Sequence, residues 1–213
     1  GANDAGRPSM VVDNHGGAVL AVEHLLATGR SRIAHIAGPA GNLEAEARLA
    51  GYLQAMARAG LPTSVVEGAF TQASGHAAGV ELARRGLRPD AVFAGNDNMA
   101  VGAMLALQDA GLLVPEDVAI VGFDDIPLAG LVRPGLTTLR IHIAETGRSA
   151  LERLVRLINA AGEAVADTAC EIVRPELVVR ASSQPATPNQ VQTNAGGRLR
   201  ALAETPSLKG ENS

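Results

Sequence analysis

The chain has 213 residues, a formal net charge of -4, 46% hydrophobic residues and only 2% aromatic ones, so any packed core rests on Ala, Val, Leu and Ile. The acidic balance gives no general pull toward phosphate backbones, which nucleic-acid-binding domains meet with a basic stripe. One cysteine excludes an internal disulfide, and the histidines at 15, 24, 35, 76 and 142 lack ligand spacing, so neither a metal nor a cofactor is expected.

Met10-Val11-Val12 opens as a strand. Between residues 16 and 28, Ala18, Ala21, Val22, Leu25 and Leu26 fall on one helical face, which Gly29 ends. Residues 32 to 37 read as the next strand, and the turn GPAGN leads into a helix over 44 to 59, with Leu49, Tyr52, Leu53 and Met56 on one face. Val65-Val66 is a strand, 71 to 85 a helix, 91 to 94 a buried strand, 98 to 110 a helix and 118 to 123 a strand. This alternation predicts an α/β protein whose parallel sheet is flanked by crossover helices.

After Phe123 the rhythm breaks, because Asp124-Asp125-Ile126-Pro127 and Arg133-Pro134-Gly135 build a loop. Residues 136 to 141 then form a connecting strand, and 144 to 161 a helix whose apolar face carries Gly147, Ala150, Leu151, Leu154, Val155 and Ile158. A closing strand pair is expected around 172 to 173 and 177 to 180. Residues 184 to 213 are polar and aperiodic and predict a disordered tail. No stretch approaches the roughly 20 apolar residues of a membrane helix, and GANDAGRPSM has neither a signal-peptide pattern nor an initiator Met, so a cytoplasmic protein present as a fragment or processed chain is expected.

Ligands of an open parallel sheet bind beyond the carboxyl ends of its strands. Those ends carry Phe70, then Gly95-Asn96-Asp97-Asn98, then Asp124-Asp125. Asp97 suits a helix cap. The amide of Asn96 both donates and accepts, which suits a sugar hydroxyl or a base edge. Asp124 and Asp125 stand open to two readings, a metal or general-base pair, or one carboxylate fixing ligand hydroxyls while its neighbour caps or turns to solvent. Adjacent carboxylates point apart, and no third ligand or activated nucleophile matches them, so catalysis is not expected. Arg48 makes either a surface salt bridge or a paired-donor grip on hydroxyls or a carboxylate in the crevice. Phe70 is either core or an apolar plate under a sugar ring. GPAG lacks the Gly-x-Gly-x-x-Gly and Gly-Lys-Ser/Thr patterns of nucleotide sites.

Five ordered blocks, VDNHGGAVLAVEHLLATGRSRIAHIAGP, RLAGYLQAM, GNDNMAVGAMLAL, VPEDVAIVGFDDIP and PGLTTLR, resemble the LacI/GalR transcription regulators, with the likeness running from Met10 to Ser183. The resemblance implies a periplasmic binding protein-like I fold, with two α/β subdomains joined by crossing strands around a small effector, a sugar or related polyol. It also implies a homodimer that meets operator DNA only through an N-terminal helix-turn-helix head outside this chain, and no membrane partner. Matched by motif, Arg48 of RLAGY corresponds to an effector-gripping arginine, Asn96 of GNDNMA to a hydroxyl-binding asparagine and Asp124 of GFDD to the effector-binding aspartate. Phe70 matches a position where an aromatic packs on the ligand, and Asn42 and Glu44 occupy positions that vary with effector.

On this resemblance, residues 1–30 are a remnant of the N-terminal subdomain with a crossover helix, and 31–138 a largely complete C-terminal effector-binding subdomain. Residues 139–168 are a crossover strand and helix of a mostly missing N-terminal subdomain, 169–183 the final strands and 184–213 the tail. Ile141-His142 stands where many members carry Gln-Pro, a departure at the crossover. The helix over 144 to 161 would then lack its sheet, and its exposed apolar face predicts instability, aggregation or oligomerisation. Effector affinity would be weak with one cleft wall. The alternative is a periplasmic sugar-binding protein of a transporter, which shares fold and cleft chemistry; VPEDVAIVGFDD and LTTLR favour the regulator.

Overall fold

The computed structural model describes residues 9–85, 88–159 and 170–184. Among them the chain runs β1 (Ser9–Val12), α1 (Asn14–Ala27), β2 (Ile33–Ile36), α2 (Leu43–Arg58), β3 (Ser64–Val66), α3 (Gln72–Arg84) and β4 (Ala91–Ala94). It continues with α4 (Asp97–Asp109), β5 (Ala119–Asp124), α5 (Pro127–Leu131), β6 (Thr137–Arg140), α6 (Ile143–Asn159), β7 (Cys170–Val173) and β8 (Glu176–Val178). The alternating stretch follows the apolar period closely. Where only a loop was expected, Pro127 opens the short α5, because its fixed φ suits a first helical turn and its missing N–H is not needed there.

Among the described residues the strands form a six-stranded sheet in the order β3-β2-β4-β5-β6-β8 and a separate two-stranded sheet, β1-β7. The first five strands of the larger sheet are parallel, and β8 closes it antiparallel to β6. The expected closing pair is therefore not a pair: β7 joins β1 in parallel, while β8 joins β6. Both strands found an open edge elsewhere, and the short link between them carries the chain from one sheet to the other.

Strands β2 and β4 are buried at every position, as continuous apolar runs must be when helices cover both faces. On one face α3 and α4 pack Leu82, Met99 and Leu107 against Val92 and Ile120. A Cβ at Gly75 or Gly102 would strike the backbone of the facing helix, so these glycines let α3 and α4 approach closely. On the other face α1 and α2 pack Val22, Leu25, Tyr52 and Met56 against Ile33, Phe93 and Phe123. Among the described residues before 31, α1 packs on the larger sheet, which with its helices makes up a larger body, while β1 joins β7 in a smaller one.

In α6 no described residue is buried, and Leu151, Leu154, Val155 and Ile158 are exposed. Its apolar face is thus without a sheet among the described residues. Residues 160 and 161, expected at the end of this helix, and the expected tail from 185 onward lie outside the described residues.

Candidate functional site

Helix α2 starts at Asn42, whose Oδ1 accepts the backbone N–H groups of Glu44 (3.0 Å) and Ala45 (2.9 Å). That cap sets the helix so that Glu44 and Arg48, four residues apart, share one face. Arg48 is buried, with 5% of its side chain exposed. Its Nε donates to Asn14 Oδ1 at 2.8 Å, its Nη1 donates to the Gly95 carbonyl, and its guanidinium stacks 3.9 Å from the Phe123 ring. The remaining nitrogen, Nη2, stands 3.7 Å from Asp124 Oδ1 and 4.0 Å from Glu44 Oε2. These separations are too long for direct hydrogen bonds, so a fixed donor and a fixed acceptor sit side by side.

They open on a cavity of about 470 Å³ whose polar lining is Asn14, Glu44, Arg48, Asp124 and Thr146, with Ile126 among its apolar walls. Burial pushes the Asp124 carboxyl up to about 6; Arg48 pulls it down and Glu44 pushes it up again. Burial likewise lowers the Arg48 guanidinium from its usual value, against the pull of Asp124, Glu44 and Asp97.

The positive-φ residues other than glycine, among the described residues, are Phe70 (59°), Asp124 (110°) and Asp125 (54°). Asp124 ends β5, Asp125 follows it directly, and Phe70 lies in the loop after β3. Such backbone costs on the order of 1–3 kcal/mol per residue and persists only where surrounding contacts hold it.

Asp125 points away from Asp124 and neither caps a helix nor faces solvent. Its Oδ2 accepts from Arg140 Nε at 2.6 Å and its Oδ1 from Arg180 Nη2 at 2.7 Å. Burial pushes this carboxyl up, but the two arginines outweigh that and hold it below the usual carboxylate range.

Asn96 caps α4: its Oδ1 accepts from Met99 N at 2.9 Å, while its Nδ2 donates to the Phe70 carbonyl at 3.1 Å. The cap expected at Asp97 thus falls one residue earlier, because an amide serves helix and loop at once where a carboxylate only accepts. Asp97 is instead wholly buried. Phe70 is half-buried, packs against the core and stands 5.8 Å from the Arg48 guanidinium.

The structure therefore brings Arg48, Asp124 and Glu44 to one cavity. Asn42 and Asn96 serve as helix caps beside it, and Phe70 sits next to the arginine. Asn14 was not foreseen. Asp13-Asn14 reads in sequence as a capping pair, and only Asp13 caps α1, through Gly16 N at 2.8 Å. Arg140 and Arg180 were not foreseen either, since nothing local marks arginines that meet 40 residues apart. Among the described residues no three metal-capable side chains converge, and no helix is long and apolar enough to cross a membrane.

The family described as a periplasmic binding protein-like domain matches residues 22–183. The chain is 44% identical to the ribose operon repressor of Escherichia coli (strain K12) over 146 residues, which are 67% of this chain and 44% of the repressor. A solved complex of the transcriptional regulator CelR with cellobiose is similar with a TM-score of 0.77 and 36% identity, over 84% of this chain and 55% of that one. The lac repressor dimer bound to operator and an anti-inducer is similar with a TM-score of 0.77 and 31% identity, over 86% of this chain and 55% of that one. The chain spans about half the length of the proteins it matches.

Proposed function

Because the chain belongs to the LacI/GalR family of transcription regulators and carries their periplasmic-binding-protein-like domain, we propose that the cavity at Arg48 receives a small polyhydroxylated effector, a sugar or related polyol. The observation that carries this reading is the 3.7 Å spacing of Arg48 Nη2 and Asp124 Oδ1 beside an open cavity. A vicinal diol matches it: one hydroxyl oxygen accepts from Nη2 and its neighbour donates to the carboxylate. Asn14, the Gly95 carbonyl and Phe123 already hold the guanidinium, so binding it costs little further ordering. A simple anion fits less well, since Asp124 and Glu44 flank the arginine.

Val12 of the smaller body and Thr146 of α6 line the cavity together with Arg48 and Asp124 of the larger body. An effector bound there has contacts that depend on how the two bodies sit, which is the requirement for a ligand to shift that placement. In the whole protein this shift reaches operator DNA through a helix-turn-helix head, in a cytoplasmic homodimer. The names of the relatives support this: one is an operon repressor and one was solved as a dimer on its operator. The same names favour a regulator over a transporter's binding protein and over an enzyme.

Calorimetric titration with D-ribose, cellobiose and a panel of other pentoses, hexoses and disaccharides tests the site. Arg48→Ala and Asp124→Ala are each expected to weaken the sugar that binds by about 30-fold or more, the order of a lost charged hydrogen bond. Unchanged affinity in both variants would reject the assignment.

A further inference from the structure

Asp97 is an ionisable group that effector contact leaves unused. Its residue is 0% exposed, and it sits in the first turn of α4 beneath the end of β5. Its Oδ1 accepts the hydroxyl of Thr138, and its Oδ2 accepts the backbone N–H of Ile126 at 2.9 Å. The Thr138 oxygen in turn accepts the Asp125 backbone N–H at 3.4 Å. Room for the carboxylate exists because β5 has glycine at 122, where a Cβ would collide with Asp97 Oδ1.

One buried carboxylate thus governs two consecutive amides, that of Ile126 directly and that of Asp125 through Thr138. Both follow Asp124: the Asp125 amide joins the left-handed residues 124 and 125, and the Ile126 amide comes directly after them. Thr138 pairs with Gly122 in the sheet, and two residues on Arg140 pairs with Asp124 and holds the Asp125 carboxylate. The corner that aims Asp124 at Arg48 is therefore anchored to α4 from below and to β6 from the side. The same β6 leads directly into α6, whose Thr146 lines the cavity.

We propose that Asp97 is a positioning residue for effector recognition: through Thr138 and Ile126 N–H it holds the 124–126 corner in the strained backbone that presents Asp124 to the cavity. The inference rests on reading Asp124 as the effector's acceptor. Carrying a carboxylate there is unfavourable in itself, since burial pushes its carboxyl up to about 7, with Asp124 and Asp125 pushing the same way against the Thr138 and Ile126 donors. Arg48 on α2 offsets Asp97 and Asp124, while Arg140 and Arg180 hold Asp125. A group kept in so costly a place, with both oxygens spent on one corner, is there for geometry.

Asparagine reproduces that geometry. Its oxygen accepts from Ile126 N–H and its NH₂ donates to the Thr138 hydroxyl, which rotates to accept. Alanine keeps neither bond. The test compares Asp97→Asn, Asp97→Ala and Thr138→Val by calorimetry with D-ribose and cellobiose as probes, and by hydrogen exchange at the Ile126 amide. Asp97→Ala is expected to weaken sugar binding at least tenfold and to lose at least tenfold protection at Ile126, with amides of β2 and β4 unchanged. Asp97→Asn is expected to stay within threefold on both readouts. Thr138→Val, which keeps the Ile126 bond, falls between them and stands in for Asp97→Ala if that variant does not fold.

Native affinity in a folded Asp97→Ala, or an Asp97→Asn as impaired as the alanine, would overturn the proposal. If the unsubstituted protein binds neither sugar, the effector reading for those sugars fails, and the exchange arm still decides: an Ile126 amide as protected in Asp97→Ala as in Asp97→Asn rejects the positioning role.

Discussion

Helices α1 and α6 both carry apolar residues at helical spacing, in α1 spread around much of the helix and in α6 gathered on one sharp face, and they meet opposite fates. In α1 the residues Ala18, Ala21, Val22 and Leu25 are all 0% exposed, closed over by α2 and the larger sheet. In α6 Leu151 is 60% and Ile158 62% exposed, and no sheet among the described residues closes over them. Fully burying one such side chain contributes about 1.5–3 kcal/mol, so α6 forgoes what α1 collects. An apolar period in a sequence therefore marks a demand for a partner and does not tell whether the partner is at hand.

The largest expected effect that sharpens this contrast lies in the larger body. Phe93 is fully buried and stacks against His35 at 4.8 Å, so Phe93→Ala is expected to cost about 3–5 kcal/mol in urea unfolding. Leu154→Ala on α6 is expected to stay within about 0.5 kcal/mol. Equal losses would mean that α6 is packed as well as α1.

A middle-sized effect is pH-dependent and belongs to the larger body alone. His35 donates through Nδ1 to the Phe93 carbonyl at 2.9 Å, and its Nε2 is buried without a partner among the described residues. Burial lowers its pKa from 6.5 to about 4, the Phe93 bond opposing and Arg48 assisting. A lowered value in the folded state means that this contribution is present above 6.5 and lost as pH falls toward 4. Asp97 and Asp124 have the opposite sign. Their folded values of about 7 and about 6 exceed the ordinary 3.8, so their contribution is full below that value and lost as pH rises through 6 to 7. Asp97→Asn removes one of these losses, so its Tm relative to the unsubstituted protein should be more favourable at pH 8 than at pH 5. A difference independent of pH would show that the carboxyl does not titrate there.

The smallest effect on stability, and the most specific to α6, is expected from Leu151→Ser with Leu154→Ser. Sedimentation should show less self-association than in the unsubstituted protein, with Tm moved by less than the Phe93→Ala change. Undiminished association would place the sticky surface elsewhere.

Much of the site was legible because its signals are local. Strand ends are where ligands bind, and the polar residues there are Asp124 at the end of β5 and Asn96 beyond β4, with Arg48 one helical turn from the residue at 44. The roles within that set were less legible. Asp97 reads as a cap because its side chain follows a strand and precedes a helix, yet Asn96 occupies the cap and sends Asp97 under β5. Asp125 reads as a neighbour that caps or turns to solvent, yet Arg140 and Arg180 enclose it.

The order of elements, the α/β alternation, the blocks that mark the family, and Arg48 and Asp124 as the residues to watch can all be read from the residues in a row. All of these depend on spacing within a few residues, where periodicity, caps and strand ends leave a direct trace. It takes long-range packing to put α1 on the larger sheet, to part β7 and β8 to different sheets, to hold Arg48 with Asn14 across 34 residues and to bring Asp97 to Thr138 across 41. Those contacts depend on which distant face closes over which, and a buried polar group is specified by the partners that fold around it.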